Sequence, residues 1–134
     1  MADYRTQLQQ LSETYNDRDP DGWIAVWDPD AEWHPFLTAR EEGGLGYHGH
    51  NGMRAWFEDV DEMFEESRVE LDEFRQVGNR LLVLGRMTAK RRGTGEAVDR
   101  EVGWVVEPRG ERFQRGWAYD SHEEAERQAK AADS

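Results

Sequence analysis

The sequence predicts an α+β fold, and three observations carry that reading. Apolar residues at helical spacing fill most of the first half of the chain. Four strand-forming runs at hairpin distances fill most of the second. The last of those runs leads straight into a capped segment, Asp120-Ser121-His122-Glu123-Glu124-Ala125. Helices followed by an antiparallel meander form one layered domain, with helices packed on one side of a sheet.

Tyr4, Leu8, Leu11 and Tyr15 recur every three or four residues with polar residues between them, which predicts an amphipathic first helix near 3–17. Asp19-Pro20 restarts a helix, with Asp19 as N-cap and Pro20 at the first helical position. Trp23, Val26 and Trp27 form its apolar face, over about 19–27. Asp28-Pro29-Asp30 reads as a turn, Ala31–Phe36 as a short strand, and the Gly-rich stretch Leu37–His50 as a loop, a candidate lid. Asn51 is placed to cap a third helix near 51–66, whose apolar face carries Met53, Trp56, Phe57, Val60, Met63 and Phe64. Strands then follow near 68–76, 80–91, 96–108 and 111–120, punctuated by Gly78-Asn79, Gly93-Thr94-Gly95 and Pro108-Arg109-Gly110. A short helix from about 121 closes the chain, capped by Ser121-x-x-Glu124 or Asp120-x-x-Glu123, and the tail is expected to fray from about 129.

Composition narrows the function classes. At 134 residues, one domain spanning 1–134 is expected. Only 37% of the residues are hydrophobic, yet six Trp, five Phe and four Tyr supply the large core pieces that a disordered chain lacks. A net charge of −12, with no basic cluster longer than Lys90-Arg91-Arg92, argues against nucleic acid as a partner. The absence of cysteine excludes disulfides, thiolate nucleophiles and Cys-based zinc sites. No apolar run is long enough to span a bilayer and the N-terminus lacks a signal pattern, so no membrane association and a cytoplasmic address are expected.

Four segments, read in order, carry a resemblance over most of the chain. They are Trp27-Asp28-Pro29-Asp30-Ala31-Glu32-Trp33-His34-Pro35, Tyr47-His48-Gly49-His50-Asn51-Gly52-Met53-Arg54-Ala55-Trp56, Arg80–Arg86, and Gly116-Trp117-Ala118-Tyr119-Asp120 with Glu124-Ala125 beyond it. Together they resemble the SnoaL-like branch of the nuclear transport factor 2-like superfamily. The resemblance implies a curved antiparallel sheet wrapped around three N-terminal helices as a cone, with a short C-terminal helix and often a homodimer paired through outer sheet faces. It implies no single activity, since such folds serve cyclases, isomerases, epoxide hydrolases, dehydratases and members without a known reaction.

Departures from the enzymatic relatives weigh against a copied mechanism. The working Asp that the cyclase and epoxide-hydrolase branches hold on the last strand falls here on Trp117, and the Arg-x-Asp pair of the hydrolases becomes Arg86-Met87-Thr88. His34, before Pro35, stands where the ketosteroid isomerases hold their general base. It reads either as a proton shuttle or as an aromatic-packed wall residue. His48-Gly49-His50 with His34 would offer three imidazoles, but no carboxylate has matching spacing, so neither metal nor cofactor is expected.

Strand parity selects the side chains facing a cavity, because residues two apart share a face. It favours Phe113, Arg115, Trp117 and Tyr119 on the last strand. On the strand before, it favours Val98, Arg100, Val102, Trp104 and Val106, and on Arg80–Arg91 it favours Leu82, Leu84, Arg86 and Thr88. The expected ligand contacts are therefore Tyr15, Trp33, Trp56, Arg86, Trp104, Arg115, Trp117 and Tyr119, around a small hydrophobic or aromatic molecule. Three readings remain open at this level: a SnoaL-like binding protein; a small isomerase, cyclase or dehydratase with His34 as acid or base and Tyr15, Tyr119, Arg86 or Arg115 polarising a carbonyl or enolate; and, more weakly, a structural or protein-interaction module.

Overall fold

The computed structural model describes residues 4–35 and 46–131. The expected lid lies mostly outside the described residues. Two helices open the chain, α1 (Arg5–Asn16) and α2 (Pro20–Ile24), followed by strands β1 (Trp27–His34) and β2 (Tyr47–His48) and helix α3 (Gly49–Met63). Strands β3 (Phe64–Val77), β4 (Arg80–Arg91), β5 (Ala97–Arg109) and β6 (Arg112–Tyr119) then lead to helix α4 (His122–Ala131). One six-stranded sheet runs in the order β2-β1-β6-β5-β4-β3. Among the described residues only the β1–β6 pairing is parallel, and it brings the first long strand back beside the last.

Local chemistry explains most of the boundaries. The Asp19 carboxylate accepts the Gly22 N–H at 3.1 Å with Pro20 behind it, the cap expected at the start of α2. That helix stops at Ile24, and the chain from Trp27 through Asp28-Pro29-Asp30 is strand rather than helix and turn. Pairing with β6 decides this. Trp27 stands opposite Phe113 and Glu32 opposite Arg115, so a bulge absorbs the acidic Pro turn instead of ending the strand. Helix α3 starts at Gly49, whose φ of +71° suits glycine, and Asn51 lies inside the helix rather than capping it. Phe64 opens β3 instead of closing α3, since its ladder partner is Arg91.

Ser121 caps α4 by accepting the Glu124 N–H at 3.0 Å. The helix runs on to Ala131, where fraying was expected from about 129. Ala125 and Ala129, one turn apart, are both fully buried against the sheet. Gly103 makes this docking possible, because a Cβ there would stand 2.3 Å from the Ala125 Cβ. The sheet therefore has two covered faces. Helices α1, α2 and α3 pack on the concave one, around the main core, and α4 covers Leu82, Leu84 and Val105 on the other.

Candidate functional site

Between the concave face and the three helices lies a partly open apolar cavity of about 100 Å³. Helix α1 contributes Leu8, Leu11 and Tyr15 to its wall; α2, β1 and α3 contribute Trp23, Trp27, Trp33 and Trp56; and the meander contributes Val83, Met87, Val102, Trp104 and Ala118. The indoles form one continuous set, with Trp23 lying 5.0 Å from Trp56, 5.2 Å from Trp27 and 5.4 Å from Trp33 between ring centroids. Gly116 leaves room for them, since a Cβ there would meet Trp27 at 2.6 Å and Trp33 at 3.1 Å.

Polar groups in this wall are few. The Tyr15 ring stacks on Trp56, and its hydroxyl lies 2.6 Å from the buried Ser67 hydroxyl on β3. Burial pushes the Tyr15 phenol above its usual value of 10, against the opposing pull of the Ser67 hydrogen bond and Arg18. The Arg18 guanidinium sits over the Tyr15 ring at 4.8 Å and pairs with Asp61 at 3.0 Å. The indole N–H groups of Trp27 and Trp33 are sealed from solvent and have no hydrogen-bond acceptor among the described residues. No group of three or more metal-ligating side chains occurs among those residues.

The structure divides the sequence-selected residues between the two faces. Tyr15, Trp33, Trp56 and Trp104 line the cavity. Arg86, Arg115, Trp117, Tyr119 and His34 do not. The His34 ring instead lies parallel to Trp117, at 5.8 Å and 8°, beside its ladder partner on the outer face. Arg80 covers the same Trp117 ring at 5.0 Å, and the buried Glu107 carboxylate accepts hydrogen bonds from Arg80 at 2.8 Å and Arg115 at 2.9 Å. Arg86 pairs with Asp99 at 2.7 Å, both exposed. Tyr119 joins the second cluster with Trp117, and burial raises its phenol despite nearby Arg80.

Two physical causes displaced these residues. On β6, Phe113 pairs with Pro108 and Arg115 with Glu107, so Gln114 is an extra residue in the ladder. Phe113 thus faces the core, while Arg115, Trp117 and Tyr119 pass to the outer face and Gly116 and Ala118 turn inward. On β4 both faces are buried over residues 81–85, where Leu81 and Val83 take the core side and Leu82 and Leu84 meet α4; beyond them Met87 and Ala89 stay inward and Arg86 and Thr88 are exposed. A strand covered on both sides carries no alternation to read. On β5 the parity reading agrees with the packing at Val98, Val102, Trp104 and Val106. Sequence reasoning left Trp23 and Trp27 out of the expected ligand contacts because their spacing reads first as a helix face and core. It missed Ser67 because nothing around it in the chain marks a buried hydroxyl.

With this geometry in place, comparison identifies the family. Residues 8–115 match the SnoaL-like domain family. The chain belongs to that family. Its fold resembles that of an NTF2-like protein of unknown function from Burkholderia pseudomallei K96243, at 24% identity and a TM-score of 0.79, covering 95% of this chain and 97% of that one. It also resembles TerC co-crystallised with polyporic acid, at 19% identity and a TM-score of 0.76, covering 93% and 96%. A third similar structure is a hypothetical protein with a ketosteroid isomerase-like fold from Catenulispora acidiphila DSM 44928 in complex with trimethylamine, at 14% identity and a TM-score of 0.76, covering 87% and 86%. No functionally curated protein matches the chain. No helix among the described residues is long and apolar enough to cross a membrane.

Proposed function

We propose that this SnoaL-like protein binds a small hydrophobic or aromatic molecule in the cavity between its concave sheet face and α1, α2 and α3, and that it works as a homodimer. The observation that carries the reading is the void itself. Space is left open beside four indoles that pack closely against one another everywhere else, whereas protein interiors normally close such gaps. For scale, a dry apolar cavity of about 150 Å³ admits benzene, so the space of about 100 Å³ here takes a single ring only if its walls widen, and is far too small for a fused system. Two fold relatives, crystallised with polyporic acid and with trimethylamine, support the use of this fold for small molecules. The cytoplasmic address rests on the sequence expectation alone.

The enzymatic alternative has less support, because the imidazole proposed as its acid or base stacks on Trp117 across the sheet from the cavity. The test is titration of the protein with toluene. Saturable quenching of tryptophan fluorescence and a melting temperature that rises with toluene concentration are expected. Both should be lost in Ala118→Leu, which fills the cavity. A wild-type protein indifferent to toluene, or an Ala118→Leu variant that responds equally, would sink the proposal. Sedimentation equilibrium at micromolar protein should return twice the chain mass, and a monomer mass would remove the dimer.

A further inference from the structure

We infer that the cavity takes only the apolar end of an elongated amphiphile, whose polar end stays in water between α1 and β3. The inference rests on the binding reading above and goes further by naming the ligand's chemistry. Among the described residues, the lining residues with partial exposure to solvent are Leu11 and Ser12 on α1, Val69 and Leu71 on β3, and Trp104 on β5. They mark where the cavity meets water. Contacts on either side set this opening. The Asn16 side-chain amide, at the end of α1, donates to the Val69 carbonyl at 3.0 Å, and its oxygen accepts the Val69 N–H at 2.8 Å. Those two bonds tie α1 to β3 beside the gap. Just past Leu71, β3 carries one extra residue, Asp72, relative to β4, and such a bulge bends the strand.

Size and polarity decide what enters. A space of about 100 Å³ is smaller than the roughly 150 Å³ that admits benzene, so any molecule larger than one ring extends through the opening. Among the described residues no charged side chain lines the cavity, and the only side-chain oxygens in its wall are the hydroxyls of Tyr15 and Ser12. Tyr15 is engaged with Ser67. A hydroxyl carried inward would leave its proton without an acceptor and a charged group would lack a counter-ion, and either costs about tenfold or more in binding. Ser12 differs because it stands at the opening. Its hydroxyl donates to the Gln9 carbonyl at 3.0 Å and keeps its own lone pairs available. The polar end of the ligand therefore lies at Ser12 and in water, while the apolar end lies against the indoles.

The test compares 3-phenylpropan-1-ol with butylbenzene, which has the same shape but carries a methyl in place of the hydroxyl. With that end group left in water the exchange is nearly neutral, so the two should bind within about threefold of each other by calorimetry. In a wholly enclosed site the hydrocarbon binds about tenfold tighter or more, because the alcohol loses its hydrogen bonds to water on entry. Intermolecular nuclear Overhauser effects locate the two ends of the alcohol. Its ring protons should reach Trp23 or Val106, and the methylene beside its hydroxyl should reach Leu11 or Leu71. Butylbenzene binding tighter by about tenfold or more overturns the inference, as does a hydroxyl-bearing methylene found against Trp23 or Val106. Toluene binding without binding of the alcohol also overturns it, and in that case the binding reading stands. Failure of toluene and both longer probes to bind removes the inference and the binding reading together. Every measurement uses the wild-type protein, so none depends on a variant folding.

Discussion

The two faces of one sheet use similar side chains for opposite purposes. On the concave face, aromatic rings surround a space and the few polar groups are buried hydroxyls and indole N–H donors. On the outer face, Trp117 is contacted by both His34 and Arg80, and Glu107 ties Arg80 to Arg115. An aromatic ring whose neighbours leave room for a guest marks a binding wall. One that already meets a stacked imidazole and a guanidinium is occupied by the protein itself. This explains why a Trp count alone did not locate the site.

The sharpest way to break the comparison is to remove the ring that anchors the concave side. Trp27 is fully buried against Trp23, Trp33 and Phe113. Trp27→Ala should cost about 3–5 kcal/mol, because the site cannot collapse around so large a loss. Urea unfolding monitored by circular dichroism checks this, and a cost below about 1 kcal/mol would place Trp27 outside the core. The matching lesion on the other face is Gly103→Val, whose side chain collides with Ala125 and lifts α4. It should cost about 1–3 kcal/mol. Toluene affinity should stay unchanged, since α4 contributes nothing to the cavity wall. Loss of toluene binding in this variant would show that the two faces are not independent.

How much of this was legible in the chain follows from the same division. Element order and the Asp19 and Ser121 caps were readable because they depend on local signals: spacing, proline and short polar side chains. The concave set on β5 was readable because that strand pairs without interruption from Ala97 to Val106 against β4. The residues of β6 and β4 were not. One extra residue at Gln114 reverses every side chain beyond it, and only the pairing with β5 reveals it. The cover that α4 lays over Leu82 and Leu84 is a tertiary contact between residues about forty positions apart, and no periodicity within β4 encodes it. The pairing of Tyr15 with Ser67 is equally long-range, spanning 52 positions.

A smaller effect sharpens the comparison through pH. The Tyr15 phenol is raised above 10 in the folded protein by burial, so the native state holds this proton more tightly than the unfolded chain. Its contribution to stability is fully present below pH 10, the unfolded value, and is lost as pH rises from there through the folded value. Tyr119 contributes in the same direction from the outer face, against the opposing pull of Arg80. Stability should therefore be flat from neutrality to about pH 9 and fall beyond about pH 10. Tyr15→Phe should flatten that alkaline fall while costing about 0.5–1.5 kcal/mol at neutral pH for the lost hydrogen bond to Ser67. An alkaline limb identical in Tyr15→Phe and wild type, measured by urea unfolding between pH 8 and 11, would assign the effect elsewhere.

The smallest effects belong to the outer-face residues that sequence reading placed in the cavity, which makes them the most direct test of the division between faces. His34→Ala removes a parallel stack on Trp117 and should cost about 0.5–1.5 kcal/mol, the worth of such a ring pair. Arg86→Ala removes an ion pair whose side chains are 53% and 59% exposed, and solvent screening limits the loss to about 0–1 kcal/mol. Neither change touches the wall, so the affinity for toluene should stay within about twofold of wild type, as expected of sites that share no partners. The informative outcome is the contrast within one strand. Trp33 and His34 are sequence neighbours on β1, yet Trp33→Phe, which removes part of the wall, should weaken toluene binding while His34→Ala leaves it intact, because successive strand residues point to opposite faces. A His34→Ala variant that loses ligand binding as strongly as Trp33→Phe would mean that the imidazole reaches the ligand from across the sheet, and the separation of an open wall from a filled one would have to be abandoned.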